Sequence, residues 1–145
     1  MLDYLFKAVL AYCMGIVPYF EIYIAVPASI GTGLDPVSAV IWAGLGNFSA
    51  VPLIVVFHSQ LCKVPKLGKW LKDLPEGHHK KSVDKYGNLF IFFTTPLMGI
   101  WVAAAAAKAV GFPKPRLYMF SALSILFYGI IMAVLTKMGM EWFIG

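Results

Sequence analysis

Apolar residues along this chain come in long blocks, with almost no alternation between polar and apolar positions inside them. The first block, residues 5–17, is too short to cross a bilayer. As a helix it covers about 20 Å, against a hydrocarbon core of about 30 Å. Pro18 follows it, and a proline lacks an N–H and clashes with the preceding turn. After Glu21 a second short block runs over 22–30 with Pro27 inside it, and Gly31-Thr32-Gly33 closes it. Two half-length apolar arms around a proline predict a re-entrant helical hairpin. Asp35-Pro36 then reads as an N-cap with proline at the first helical position, opening a full-length span over 37–57. Residues 88–107 form another apolar block, with Pro96 and Gly99 at its centre, and 117–135 form the last span. The tail over 137–145 offers Trp142 and Phe143 as interfacial anchors.

Between these blocks, 61–87 is basic, with Val64, Leu67, Trp70, Leu71 and Leu74 at helical spacing. That pattern predicts a short amphipathic helix on the membrane surface, closed by the turn at Pro75-Glu76-Gly77.

Composition agrees with this reading. Of the 145 residues, 60% are hydrophobic and 13% charged, whereas soluble domains carry roughly 45–50% apolar and about 25% charged residues. The net charge of +5 sits between apolar blocks, so it reads as a topology signal and not as a nucleic-acid surface. Asp3 beside Lys7 leaves no basic stretch of the kind that opens a signal peptide. Cys13 and Cys62 have neither metal nor redox spacing.

The chain repeats itself at an offset of 78 positions. Pro18 falls on Pro96, Glu21 on Gly99, Ile22 on Ile100, Ala25 on Ala103, Ala28 on Ala106 and Gly33 on Gly111. Each copy is one hairpin plus one span and so crosses the membrane once, which sends consecutive copies in opposite directions. The expected fold is therefore an all-α integral membrane protein in a single domain. Two inverted repeats, about 5–57 and 88–136, are joined by the basic amphipathic segment 61–87. Under this topology ten of the twelve Lys and Arg residues share one side. The positive-inside bias makes that side cytoplasmic and places both termini outside the cell membrane. The alternative is a plain bundle of four or five spans, because 88–107 is long enough to cross.

The text Glu21-Ile22-Tyr23-Ile24-Ala25-Val26-Pro27, then Gly46-Asn47-Phe48-Ser49-Ala50-Val51-Pro52, resembles the first signature of the small multidrug export family. Tyr86-Gly87-Asn88 with the aromatic run 89–93, ending in Pro96-Leu97-Met98-Gly99-Ile100-Trp101, resembles its second. The resemblance covers nearly the whole chain and implies drug export. It also links the chain distantly to the DedA membrane proteins, which implies a rival class of substrate, lipids or lipid phosphates. Tyr23 replaces an Arg of the family pattern, and Met98-Gly99 replaces a longer Gly-rich run.

Glu21 is the sharpest candidate for chemistry. A carboxyl between apolar arms favours its neutral form and can exchange a proton for a cationic substrate. The competing reading is an interfacial charge or a helix cap. Tyr23 and Asn47 join Glu21 as candidate proton- or cation-binding residues, Asn47 having helix–helix hydrogen bonding as its plainer role. Pro18, Pro27, Pro96 and Gly99 are the expected hairpin-forming residues. Thr94 and Thr95 are expected to bind carbonyls freed by Pro96. Lys108 and Arg116 are candidates for an anionic headgroup, or simply topology markers. His78-His79 offers too few ligands for a metal. No phosphate-binding loop, nucleophile elbow or HExxH is present, so no catalytic residue, metal or cofactor is expected.

The function these features imply is a small secondary transporter or exporter of amphipathic or cationic compounds, with proton coupling through Glu21 as a further expectation. A lipid flippase and a non-transporting assembly subunit are the alternatives. Expected partners are membrane lipids, a small-molecule substrate and a second copy of the chain, as a homodimer or higher oligomer.

Overall fold

A computed structural model describes residues 2–61, 63, 69 and 80–144. Among these residues the chain forms five helices and no strand. They are α1 (Leu2–Ile16), α2 (Glu21–Gly31), α3 (Pro36–Leu61), α4 (Lys80–Ala109) and α5 (Lys114–Ile144). Three stretches are long and apolar enough to cross a membrane: Pro36–His58, Gly87–Ala109 and Lys114–Trp142. Apart from Lys69, the expected surface helix over 64–74 lies outside the described residues. α4 begins at Lys80, eight residues before the apolar block, and α5 continues through the expected tail to Ile144.

The described residues gather into two compact units. One is Met1–Ser49 with Ile125–Gly145, and the other is Ala50–Ser124.

In the first unit α1 and α2 form a helical hairpin of 15 and 11 residues. At 1.5 Å per residue the arms measure about 22 and 16 Å, both short of a bilayer core. The reversal occupies residues 17–20, where Phe20 and Glu21 donate their N–H groups to the Val17 carbonyl at 3.2 and 3.1 Å. At the far end of the hairpin, a Cβ on Gly33 would lie 3.4 Å from Lys7 Nζ. α3 then runs parallel to α1. Tyr4 Oη meets Ser38 Oγ at 3.1 Å, and Tyr12 Oη meets Ser49 Oγ at 2.8 Å. The two helices touch backbone to backbone. A Cβ at Gly15 would collide with the Ala43 carbonyl, and one at Gly46 with the Tyr12 carbonyl. Small residues permit such an approach, and any side chain forbids it. The last part of α5 runs antiparallel to α3. A Cβ at Gly44 would sit 3.6 Å from Ile125, and one at Gly129 3.2 Å from Val40.

In the second unit α4 is not one continuous helix. Gly99 has φ 80° and ψ 160°, a backbone region only glycine occupies readily. The apolar stretch is thereby split into 87–98 and 100–109, each about 15–18 Å long. Ala103 to Ala107 are all buried, so the second arm is covered on every side. The helix passes through Pro96, which frees the Phe92 carbonyl four residues back. Ser124 Oγ donates to that oxygen at 3.3 Å. Thr95 Oγ1 donates instead to Ile91 O at 2.7 Å. For Thr95 the expected repair of the proline site therefore gives way to a repair from α5. Pro27 and Pro52 likewise lie inside α2 and α3 without ending them. The positive-φ residues of the two breaks fall at Glu21 and Gly99, three residues beyond Pro18 and Pro96, with Pro18 itself in the reversal 17–20.

The offset of 78 recurs in the backbone. α2 ends with Gly33 at φ 88°, Gly33 N–H bonded to Ile30 O and Leu34 N–H to Ser29 O. The second arm of α4 ends with Gly111 at φ 77°, Gly111 N–H bonded to Lys108 O and Phe112 N–H to Ala107 O. Both are Schellman turns, in which a left-handed residue lets the chain satisfy the last carbonyls. The next helices start at Pro36 and Lys114, again 78 apart.

Candidate functional site

Glu21 opens α2 with φ 43°, the one non-glycine residue with positive φ among the described residues. A left-handed backbone costs a residue carrying a Cβ about 1–2 kcal/mol. The carboxyl side chain is buried. This combination, backbone strain with a titratable group taken out of water, is one that functional sites concentrate.

Around it the first unit is apolar. Ile22 is fully buried, and its side chain reaches the α3–α5 contact, where a Cβ at Gly129 would touch it at 3.0 Å and one at Gly44 at 3.9 Å. Asn47 lies three residues beyond Gly44, about 4.5 Å further along α3. α2 and α3 are antiparallel neighbours joined by the short turn 32–35, so Asn47 stands level with the hairpin reversal. Asn47 is fully buried, and neither Oδ1 nor Nδ2 has a hydrogen-bond partner among the described residues. Tyr23 Oη is also buried without one. The Tyr23 ring lies 6.4 Å from that of Tyr128, tilted by 57°. The three residues therefore share one end of the first unit, with Tyr23 directed to α5.

Lys108 lies near the end of α4, half-buried, and Arg116 is exposed in the first turn of α5. They flank the turn 110–113 in the second unit. His78 and His79 lie outside the described residues. No group of three or more His, Cys, Asp or Glu that could hold a metal occurs among the described residues.

Three features escaped the sequence reading: the left-handed backbone at Glu21, the backbone contacts of Gly15 with Ala43 and of Gly46 with Tyr12, and the Ser124 repair of Pro96.

A chain of helices in this length and polarity range, broken inside its apolar stretches, is an integral membrane protein. Its family follows from residues 21–131, which match the model of the family described as "Putative small multi-drug export protein". The chain belongs to that family. No curated protein and no solved structure matches it.

Proposed function

We propose that this protein is a small secondary transporter that exports amphipathic or cationic compounds in exchange for protons carried on Glu21. The observation that carries this reading is the buried Glu21 carboxyl at a left-handed break between two apolar arms. The family's printed description points to export. Asn47, level with the break, supplies polar atoms to a substrate or a hydrated proton.

The reading includes two inverted repeats, each a re-entrant hairpin plus one span. It draws on the matched turns 78 residues apart and on the antiparallel course of α3 and α5. The basic side is cytoplasmic, both termini are outside, and a homodimer encloses the pathway. A rival substrate, a lipid phosphate, is suggested by Lys108 and Arg116, which flank the turn 110–113.

The test is transport of a fluorescent cationic dye into proteoliposomes under an imposed pH gradient. Wild type is expected to accumulate the dye, and Glu21→Gln to lose pH-driven uptake while keeping its thermal unfolding profile. Undiminished uptake by Glu21→Gln removes the carboxyl from the mechanism.

A further inference from the structure

The first unit carries a groove that the transport reading does not use. Its volume is about 380 Å³, and it lies between the start of α3 and the end of α5. Pro36, Val37, Val40 and Ile41 form one wall, and Leu126, Ile130, Ala133 and Val134 the other. Every lining side chain is apolar except Lys137, at one end.

The dimensions fit one kind of occupant. From Leu126 to Lys137 is eleven helical steps, about 16 Å. That is close to half of a hydrocarbon core of about 30 Å, the depth of one leaflet. The Lys137 end is also the interfacial end of the unit. There Trp42 Nε1 donates to Tyr4 Oη at 3.2 Å, Lys7 pairs with Asp3 at 2.8 Å, and Asp35 caps α3. Aromatic residues with polar tips and charged pairs mark the depth of lipid headgroups. An acyl chain lying in the groove thus brings its headgroup to the Lys137 ammonium.

We propose that this groove is a binding site for an anionic phospholipid, one acyl chain against α3 and α5 and the phosphate on Lys137. Charge selects the headgroup, because a lysine at the membrane surface favours an anionic lipid about fivefold. The apolar walls hold the chain but do not distinguish one headgroup from another.

The experiment uses the full chain in detergent, delipidated and then offered equal amounts of phosphatidylglycerol and phosphatidylcholine with identical chains. Retained lipid is read by native mass spectrometry. Wild type is expected to retain phosphatidylglycerol about fivefold over phosphatidylcholine. Lys137→Gln should bring the ratio near one, Lys137→Arg should restore it, and Ala133→Phe, which fills the groove, should lower retention of both lipids. Lys114→Gln, at the start of α5, should leave the ratio unchanged. Equal retention by wild type overturns the proposal, as does an equal loss in Lys114→Gln, which would make the preference a property of net charge. Dimers lost on Ala133→Phe without change in lipid retention would give the groove to a second copy instead.

Discussion

Glu21 and Gly99 stand 78 residues apart, and both hold a left-handed φ, of 43° and 80°, at the start of a short apolar helical arm. The second arm makes this break with the residue suited to it, whereas the first makes it with a carboxylic acid. Gly99→Ala should therefore destabilise the protein by about 1–3 kcal/mol. Glu21→Gly should relieve about 1 kcal/mol of backbone strain while abolishing proton-coupled uptake. Thermal unfolding in detergent, run beside the dye assay, checks both. Equal stability of the two variants would mean that the left-handed geometry carries no strain.

Ser124 donates to the Phe92 carbonyl that Pro96 leaves without its helical partner. Ser124→Ala is expected to cost about 1–2 kcal/mol. In a Pro96→Ala background an amide N–H returns to bond the same carbonyl, and the cost should shrink to a few tenths of that. A double-mutant cycle measures the difference, and additive effects would dissociate Ser124 from the proline.

Two glycines with different neighbours should respond differently to the same change. Gly46→Ala places a methyl against the Tyr12 carbonyl, which belongs to backbone and cannot yield without moving α1. Gly129→Ala meets the flexible end of Ile22 at 3.0 Å. The first is expected to cost about 3 kcal/mol and the second under about 1 kcal/mol. Unfolding midpoints in one detergent decide it.

Asp35 caps α3 by accepting the Ser38 N–H at 2.9 Å. Hydrogen bonds from the Ser38 side chain and backbone hold its carboxyl below the usual carboxylate range. A depressed folded-state pKa gives stability that is present above the ordinary carboxylate range and lost as pH falls through the lowered value. The start of α3 should thus loosen in acid below about pH 4. Asp35→Asn keeps a cap that does not titrate and should remove that acid step, as followed by amide exchange at residues 36–39. An unchanged step would assign the acid sensitivity to another group.

Cysteines introduced singly at Lys63, Lys114 and Asp35, in a chain lacking Cys13 and Cys62, test the topology. Lys63→Cys and Lys114→Cys should label from one side of the membrane and Asp35→Cys from the other. Opposite labelling of Lys63→Cys and Lys114→Cys would sink the hairpin reading of 88–107.

Much of the helix layout was legible in the sequence because lipid writes it in long apolar blocks. The start of α3 at Asp35-Pro36 and the end of α2 at Gly33 were legible for a local reason, since caps and turns depend on residues within a few positions. The site was legible only in part. Glu21 stood out as an acid among apolar residues, but its left-handed φ depends on the reversal at 17–20, which no single residue announces. Pro18 marked its break correctly, since α1 ends at Ile16 and Pro18 lies in the reversal 17–20, whereas the helix passes through Pro96 and breaks at Gly99. A proline ends a helix only when nothing repairs the freed carbonyl, and at Pro96 the repair comes from Ser124, 28 positions away. Lys137 looked like a tail residue because its meaning lies in the groove formed with α3, about a hundred residues earlier.

The first compact unit joins residues 1–49 to 125–145, so its earliest and latest residues belong together. During synthesis α1, α2 and the start of α3 reach the membrane while Ile22 and Val40 still lack the α5 surface at Gly129. Insertion of the first hairpin can therefore begin early, yet it is locked only when the ribosome has delivered the final helix. A stop codon after residue 124 would leave a chain that carries α1 to α4 and is still one for the quality-control proteases.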